Sequence, residues 1–187
     1  LAHGWDAARG AWFPTLTSAG APSGSPDHTA QDMAYGALGP AAWFFVTRDP
    51  AAEAVVLATR DLLFDPARFW DAANGRIRDA LTFDLAAEVD LESDGGWELV
   101  AQLDAINAFL LLTQPVLTSP ARRAQFLGDM RMLGTVLAER FYSQGVFWGV
   151  HTAAGTWGAK HTDFGHTPEG PVDAASDRQA AGRPPFR

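Results

Sequence analysis

A histidine and a glutamate near the end of the chain have the residue types and the spacing that proton transfer requires. His166 and Glu169 are three residues apart, so they fall on one face of a helix that begins there. In that geometry Glu169 can orient and polarise the imidazole of His166, which titrates near neutral pH and can carry protons. The same H-x-x-E spacing is also typical of an ordinary helix start, so its interpretation depends on the rest of the chain.

Aromatic and polar residues surround this pair in the sequence. Small-molecule pockets commonly combine aromatic walls with a few convergent polar groups. We therefore expect substrate contacts from Trp148, Trp157 and His161, which precede His166. His161 and His166 also suggest a metal site, but their spacing is not distinctive for metal ligands, and we predict none.

The chain contains an internal repeat. Residues 5–10 (WDAARG) recur as residues 70–75 (WDAANG), at an offset of 65 residues, and residues 145–148 (GVFW) begin a degenerate third copy. His28 and His166 occupy comparable positions, each just before an expected helix. Self-similarity at a fixed period indicates a stacked or toroidal array. We expect His28 and Gln31 to line its mouth, although both residues are equally compatible with an ordinary helix start.

Apolar residues at helical spacing predict four helices over residues 29–47, 51–64, 97–113 and 120–142, packed as two antiparallel hairpins. Asp49 and Ser119 each precede a proline, the pattern of an N-cap followed by the first helical residue. The connecting loops are long and rich in aromatic residues, which is typical of functional loops, and short strands are expected near residues 76–83. The prediction is an all-α fold of helical hairpins with irregular loops.

Composition narrows the class of partner. The net charge is −8 without a basic stripe, which disfavours nucleic acid, and the longest apolar run, residues 109–112, is far shorter than a membrane span. The absence of cysteine excludes disulfides and thiolate metal sites. After residue 169 the helical pattern ends, so we expect one domain over residues 1–169 and a disordered or altered tail over residues 170–187.

Three segments resemble the N-acylglucosamine 2-epimerase superfamily, which includes cellobiose 2-epimerases and aldose-ketose isomerases. They are residues 34–52 (AYGALGPAAWFFVTRDPAA), the W-D-x-x-x-G-x-[WF] loops, and residues 164–169 (FGHTPE), which are similar to a G-H-x-x-E catalytic motif. The resemblance implies an (α/α)6 barrel, a toroid of six helical hairpins with its site at one mouth. Such a toroid needs roughly 350–400 residues, so this chain supplies about half.

The resemblance also implies a reaction, namely proton transfer at the carbon beside the carbonyl of an open-chain sugar. His166 then matches one of two acid/base histidines, and Glu169 matches its supporting carboxylate. The second histidine has no counterpart here, so the chain is expected to be an inactive fragment. No cofactor is implied, and the expected partner is a small-molecule sugar.

Two alternative functions and one further partner remain open at this stage. Related toroids include glycoside hydrolases, which need two carboxylates, and the candidates are Asp32, Glu88, Asp163 and Glu169. An incomplete toroid can also bind sugar on its aromatic loops without turning it over. Its uncovered helix flanks are expected to favour self-association.

Overall fold

The computed structural model describes residues 3–24, 26–89, 96–143, 146–153 and 155. Four main helices confirm the helical prediction: α1 (Ala30–Thr47), α2 (Pro50–Leu63), α3 (Val100–Thr113) and α4 (Pro120–Val136). A short 3-10 turn (Gln114–Val116) follows α3, and a π-helical turn (Leu137–Phe141) extends α4. The predicted domain boundary at residue 169 lies outside the described residues.

The loops contain more sheet than the all-α prediction allowed. Their short strands are β1 (Trp5–Asp6), β2 (Ala11–Trp12), β3 (His28–Thr29), β4 (Trp70–Asp71), β5 (Arg76–Ile77), β6 (Ala80–Leu81), β7 (Glu88–Val89), β8 (Gly96–Leu99), β9 (Tyr142–Ser143), β10 (Val146–Phe147) and β11 (Val150–Thr152). They form two- and three-stranded antiparallel ribbons rather than one extended sheet. Most are only two residues long, so they show no period-two alternation that sequence reasoning can detect.

Local capping sets the helix starts where the sequence predicted them. The Asp49 side chain accepts a hydrogen bond from the N–H of Ala51 at 2.9 Å, and Pro50 begins α2. Ser119 caps α4 in the same way, followed by Pro120. Each side chain satisfies an N–H group that a helix start leaves without an intrahelical partner.

Packing divides the helices into an inner and an outer pair. α1 packs against both α2 and α3, and α3 packs against α4. Phe109 of α3 and Phe126 of α4 are fully buried, with ring centroids 6.0 Å apart. On the outer side, Arg60 of α2 forms an ion pair with Asp129 of α4 at 2.8 Å. Two hairpins therefore lie side by side, with α1 and α3 as the inner helices.

The sequence repeat is a structural repeat. β1–β2 and β4–β5 are the same ribbon, in which Trp5 faces Trp12 and, 65 residues later, Trp70 faces Ile77. β9–β10 is a third ribbon, in which Phe147 stands at the position of Trp12 in the predicted third copy. The degenerate third copy is therefore a real structural unit.

Each loop also reaches back to the helix before it. β3 pairs with β6, so that His28 faces Leu81. β8 pairs with β11, so that Glu98 faces His151, and both residues lie 70 positions after their counterparts. This strand pairing joins residues distant in sequence and ties each hairpin to the next.

A glycine of α1 makes room for the first ribbon. A Cβ added at Gly36 would lie 2.5 Å from Cγ of Trp12, whose indole N–H donates to the Thr59 hydroxyl at 3.0 Å. Gly36→Ala should therefore lower the free energy of unfolding by about 1–3 kcal/mol, because the buried indole must move. Gly39→Ala is the matched control. Its Cβ meets no atom within 4 Å, so helix propensity should make it neutral or stabilising by up to about 1 kcal/mol. Urea unfolding measures both, and equal effects would contradict this packing.

Several large apolar side chains are exposed on the inner helices. They are Tyr35, Trp43, Phe45 and Val46 of α1, and Leu111 and Leu112 of α3. Val46 is 79% exposed and Trp43 is 58% exposed. An apolar surface of this kind marks a contact site for further protein. Within the described part of the chain, no helix has the length and apolar character to cross a membrane.

Candidate functional site

The N-terminal ends of α1 and α3 meet at one end of the helical array. The N–H of Ala30, the first residue of α1, donates to the carbonyl of Asp79 at 2.9 Å. Seventy residues later the N–H of Val100, the first residue of α3, donates to the carbonyl of Gly149 at the same distance. The loops that carry β3, β6, β8 and β11 therefore gather here, as the repeat predicted.

The first turn of α1 has no free N–H group left for an anion. Besides Ala30, the N–H of Gln31 donates to Oε1 of Gln102 on α3, and the N–H of Asp32 donates to the hydroxyl of Thr29 at 2.9 Å. These groups are the ones that usually make a helix start an anion site. A ligand at this end must be recognised by side chains instead.

Asp79 is the central buried acid of this region. Only 4% of the residue is exposed, and its Oδ1 accepts a hydrogen bond from the N–H of Leu99 at 3.2 Å. Burial raises the pKa of Asp79 to about 8, helped by the charges of Glu98 and Glu88 and opposed by the Leu99 bond and by Arg76. Asp79 is therefore largely a neutral acid at neutral pH.

Glu98 is a second buried acid and has a cationic partner. It is fully buried, and its Oε2 lies 2.9 Å from Nη1 of Arg140. Burial raises the pKa of Glu98 against the opposing effect of Arg140. Arg140 also donates from Nη2 to the carbonyl of Asn74 at 2.9 Å. This arginine therefore connects the end of α4 to both loops.

The loop between β4 and β7 is held by its own ion pairs. Arg76, 4% exposed, lies 2.6 Å from Glu88 and 3.2 Å from Asp71, and Arg78 lies 3.3 Å from Glu88. A buried arginine shared by two carboxylates fixes the ribbon that leads to Asp79.

His151 is a buried histidine on β11, opposite Glu98 on β8. It is 9% exposed, and its ring lies 5.9 Å from that of Phe141. Burial lowers the pKa of His151, and the charge of Arg140 lowers it further, so the imidazole is neutral at neutral pH. Its Nδ1 has no hydrogen-bond partner among the described residues.

The structure places three of the predicted site residues at this end. His28 is fully buried, and its Nε2–H donates to the carbonyl of Phe83 at 3.1 Å while the two rings stack. Burial also lowers the pKa of His28. Gln31 is in the first turn of α1, and the half-buried Trp148 donates its main-chain N–H to the carbonyl of Phe141 at 2.8 Å. Their roles in substrate binding stay predictions.

The remaining predicted residues lie outside the described residues. They are the catalytic pair His166 and Glu169 and the substrate-binding residues Trp157 and His161. Asp163, a candidate carboxylate, lies outside them as well. Within the described ranges no group of three or more possible metal ligands occurs.

Sequence reasoning missed Asp79, Glu98, Arg140 and His151. The signal that identifies two of them is the repeat in the helices. Glu98 lies 70 residues after His28, and each stands two residues before an inner helix. An acid at a position that holds a histidine in the preceding repeat was available from the sequence, but only with the offset of 70 rather than 65.

Helical hairpins joined at one end by reciprocal loop ribbons define a class of repeat protein. No family model matches the chain, and no curated protein matches it. Solved structures do match. Cellobiose 2-epimerase from Spirochaeta thermophila DSM 6192 matches with a TM-score of 0.76 and 17% identity over 88% of this chain and 41% of that one.

Two further solved structures agree with this comparison. A sugar epimerase from a ruminal bacterium gives a TM-score of 0.73 at 10% identity, over 87% of this chain and 41% of that one. A D-mannose isomerase gives 0.59 at 15% identity, over 73% and 33%. These matches confirm, at the level of the fold, the resemblance to the N-acylglucosamine 2-epimerase superfamily. The chain spans about two fifths of the length of the epimerases it matches.

Proposed function

We propose that this chain forms two consecutive hairpins of an (α/α)6 toroid that acts on sugars. Inner helices α1 and α3 lie side by side, and their loops repeat the same strand pairing at an offset of 70 residues. The matching structures are sugar epimerases and a mannose isomerase by their titles. The single observation that carries the proposal is this match together with the gathering of polar loops at one end.

The proposed reaction is proton transfer beside the carbonyl of an open-chain sugar. His166 removes the proton from that carbon as a general base, and the electron pair moves onto the carbonyl oxygen to give an enediolate. Return of a proton to the same carbon from the other side gives the epimer, whereas its return to the former carbonyl carbon gives the isomer. Glu169 holds the imidazole in position. Proton transfer of this kind requires no cofactor.

The proposed substrate contacts are the residues predicted from the sequence. Trp148 and Trp157 provide apolar faces for the sugar ring, and Gln31 and His161 provide hydrogen bonds to hydroxyls. His28 is buried against Phe83, so its contribution is to hold the loop beside the mouth. The exposed apolar flank of α1 is where a further hairpin would pack in the toroid. In the isolated chain it favours self-association, and a monodisperse monomer by light scattering would argue against it.

Exchange with deuterated water tests the reaction type. A longer protein that contains this chain and the remaining hairpins is incubated with mannose, glucose, N-acetylglucosamine or cellobiose. The proposal predicts deuterium at the carbon beside the anomeric centre. Release of a free sugar without deuterium at that carbon would instead indicate a glycoside hydrolase. The 187-residue chain alone lacks a second acid/base group and should show no exchange above background.

A further inference from the structure

Asp79 joins two helix starts with two different oxygen atoms. Its main-chain carbonyl accepts from the N–H of Ala30, the first residue of α1, and its carboxyl Oδ1 accepts from the N–H of Leu99, the N-cap of α3. One residue of the loop between the hairpins therefore holds both inner helices at the mouth.

Comparison between the repeats separates the two bonds. Gly149 is the counterpart of Asp79, and its carbonyl makes the same bond to the first residue of α3. Glycine has no side chain, so the carboxyl bond of Asp79 has no equivalent in the second repeat. The main-chain bond therefore belongs to the repeated fold, and the carboxyl is an addition at this one junction.

The surroundings of this carboxyl favour its neutral form. Charged groups face it from three elements: Arg76 from β5, Glu88 from β7 and Glu98 from β8. Arg76 is already shared between Asp71 and Glu88, so its charge is largely compensated. The start of α3 favours an anion by about 0.3–1 kcal/mol, whereas an ion kept out of water costs several kcal/mol. An ionised Asp79 therefore gains more by turning to water than it loses by leaving Leu99.

We propose that Asp79 is a proton-dependent latch, which in its neutral form holds the starts of α1 and α3 together and on ionisation releases them, so that the mouth loosens. The direction follows from linkage. A carboxyl whose pKa is raised in the folded state is held most firmly at low pH, and the contact weakens as pH rises through about 8. The inference does not depend on any activity toward sugars.

Amide hydrogen exchange of the 187-residue chain tests the latch at pH 6.5 and pH 9, with rates corrected for intrinsic exchange. We expect protection of the peptides that contain Ala30 and Leu99 to fall by about tenfold or more at the higher pH, while α2 and α4 keep theirs. Asp79→Asn keeps an oxygen acceptor without the charge, so its protection at these peptides should not change with pH. Asp84→Asn, which removes a fully exposed carboxylate in the neighbouring turn, is the matched control and should behave like the unmodified chain.

Three results would overturn the latch. The first is equal protection of the unmodified chain at both pH values. The second is a loss spread evenly over all four helices, which indicates global unfolding. The third is the same pH-dependent loss in Asp79→Asn. Should Asp79→Asn fail to fold, the first two comparisons on the unmodified chain decide the matter alone.

Discussion

His166→Ala should reduce sugar turnover by about 10²–10⁴-fold in a longer protein that contains this chain and the remaining hairpins. That is the usual contribution of a positioned general acid or base. The loss should appear in kcat and in kcat/KM alike, because the imidazole acts on the proton in flight rather than on the bound sugar. Steady-state kinetics with the preferred aldose, together with deuterium exchange from solvent, measures it.

The control is His3→Ala, which removes an exposed histidine from the first loop and should leave turnover unchanged. Glu169→Gln should fall between the two, since it weakens the orientation of the imidazole without removing it. A loss of only two- or three-fold for His166→Ala would reject its assignment as the acid/base residue.

Arg140→Met should lower the free energy of unfolding by about 2–4 kcal/mol at pH 8. Removal of one partner of a buried pair costs about 3–5 kcal/mol, and the value here is smaller because Arg140 is 27% exposed. The variant leaves the fully buried Glu98 without its cationic partner, and the bond from Arg140 to the carbonyl of Asn74 is lost as well. Urea unfolding at a series of pH values measures the change.

The deficit should depend on pH in a defined direction. Burial raises the pKa of Glu98 above its ordinary value, and the loss of Arg140 raises it further. Such a carboxyl opposes folding increasingly as pH rises from its unfolded to its folded pKa, so the deficit should be small near pH 4 and largest at pH 8. The double variant Arg140→Met with Glu98→Gln should recover most of the loss and abolish this dependence. A deficit that is constant with pH would contradict the account.

Local signals explain which parts of the fold were predictable. Asp49-Pro50 and Ser119-Pro120 specify helix starts through groups two or three residues away, and the apolar spacing of each helix is a property of its own segment. The W-D-x-x-x-G ribbon was visible because its turn is also local. These elements therefore appeared in the structure at the predicted positions.

Non-local contacts explain what the sequence did not reveal. The bond from Leu99 to Asp79 and the ion pair of Glu98 with Arg140 join residues 20 and 42 positions apart. Burial of Asp79 and Glu98 depends on how two hairpins pack, and carboxylates are normally assigned to the surface. His28 was correctly placed at the mouth by the repeat, but its complete burial against Phe83 follows from the pairing of β3 with β6.

The most direct test of the central claim is a sugar titration of the isolated chain that follows its tryptophan indole N–H resonances. The account predicts that mannose, glucose or cellobiose, at up to about 100 mM to detect millimolar affinity, shifts the resonances of Trp148 and Trp157. The resonance of Trp43, in the last turns of α1 at the opposite end of the helices, should not move. Trp148→Phe and Trp43→Phe assign the signals. If no sugar shifts Trp148 or Trp157, or if Trp43 alone responds, the mouth at the starts of α1 and α3 is not a sugar site.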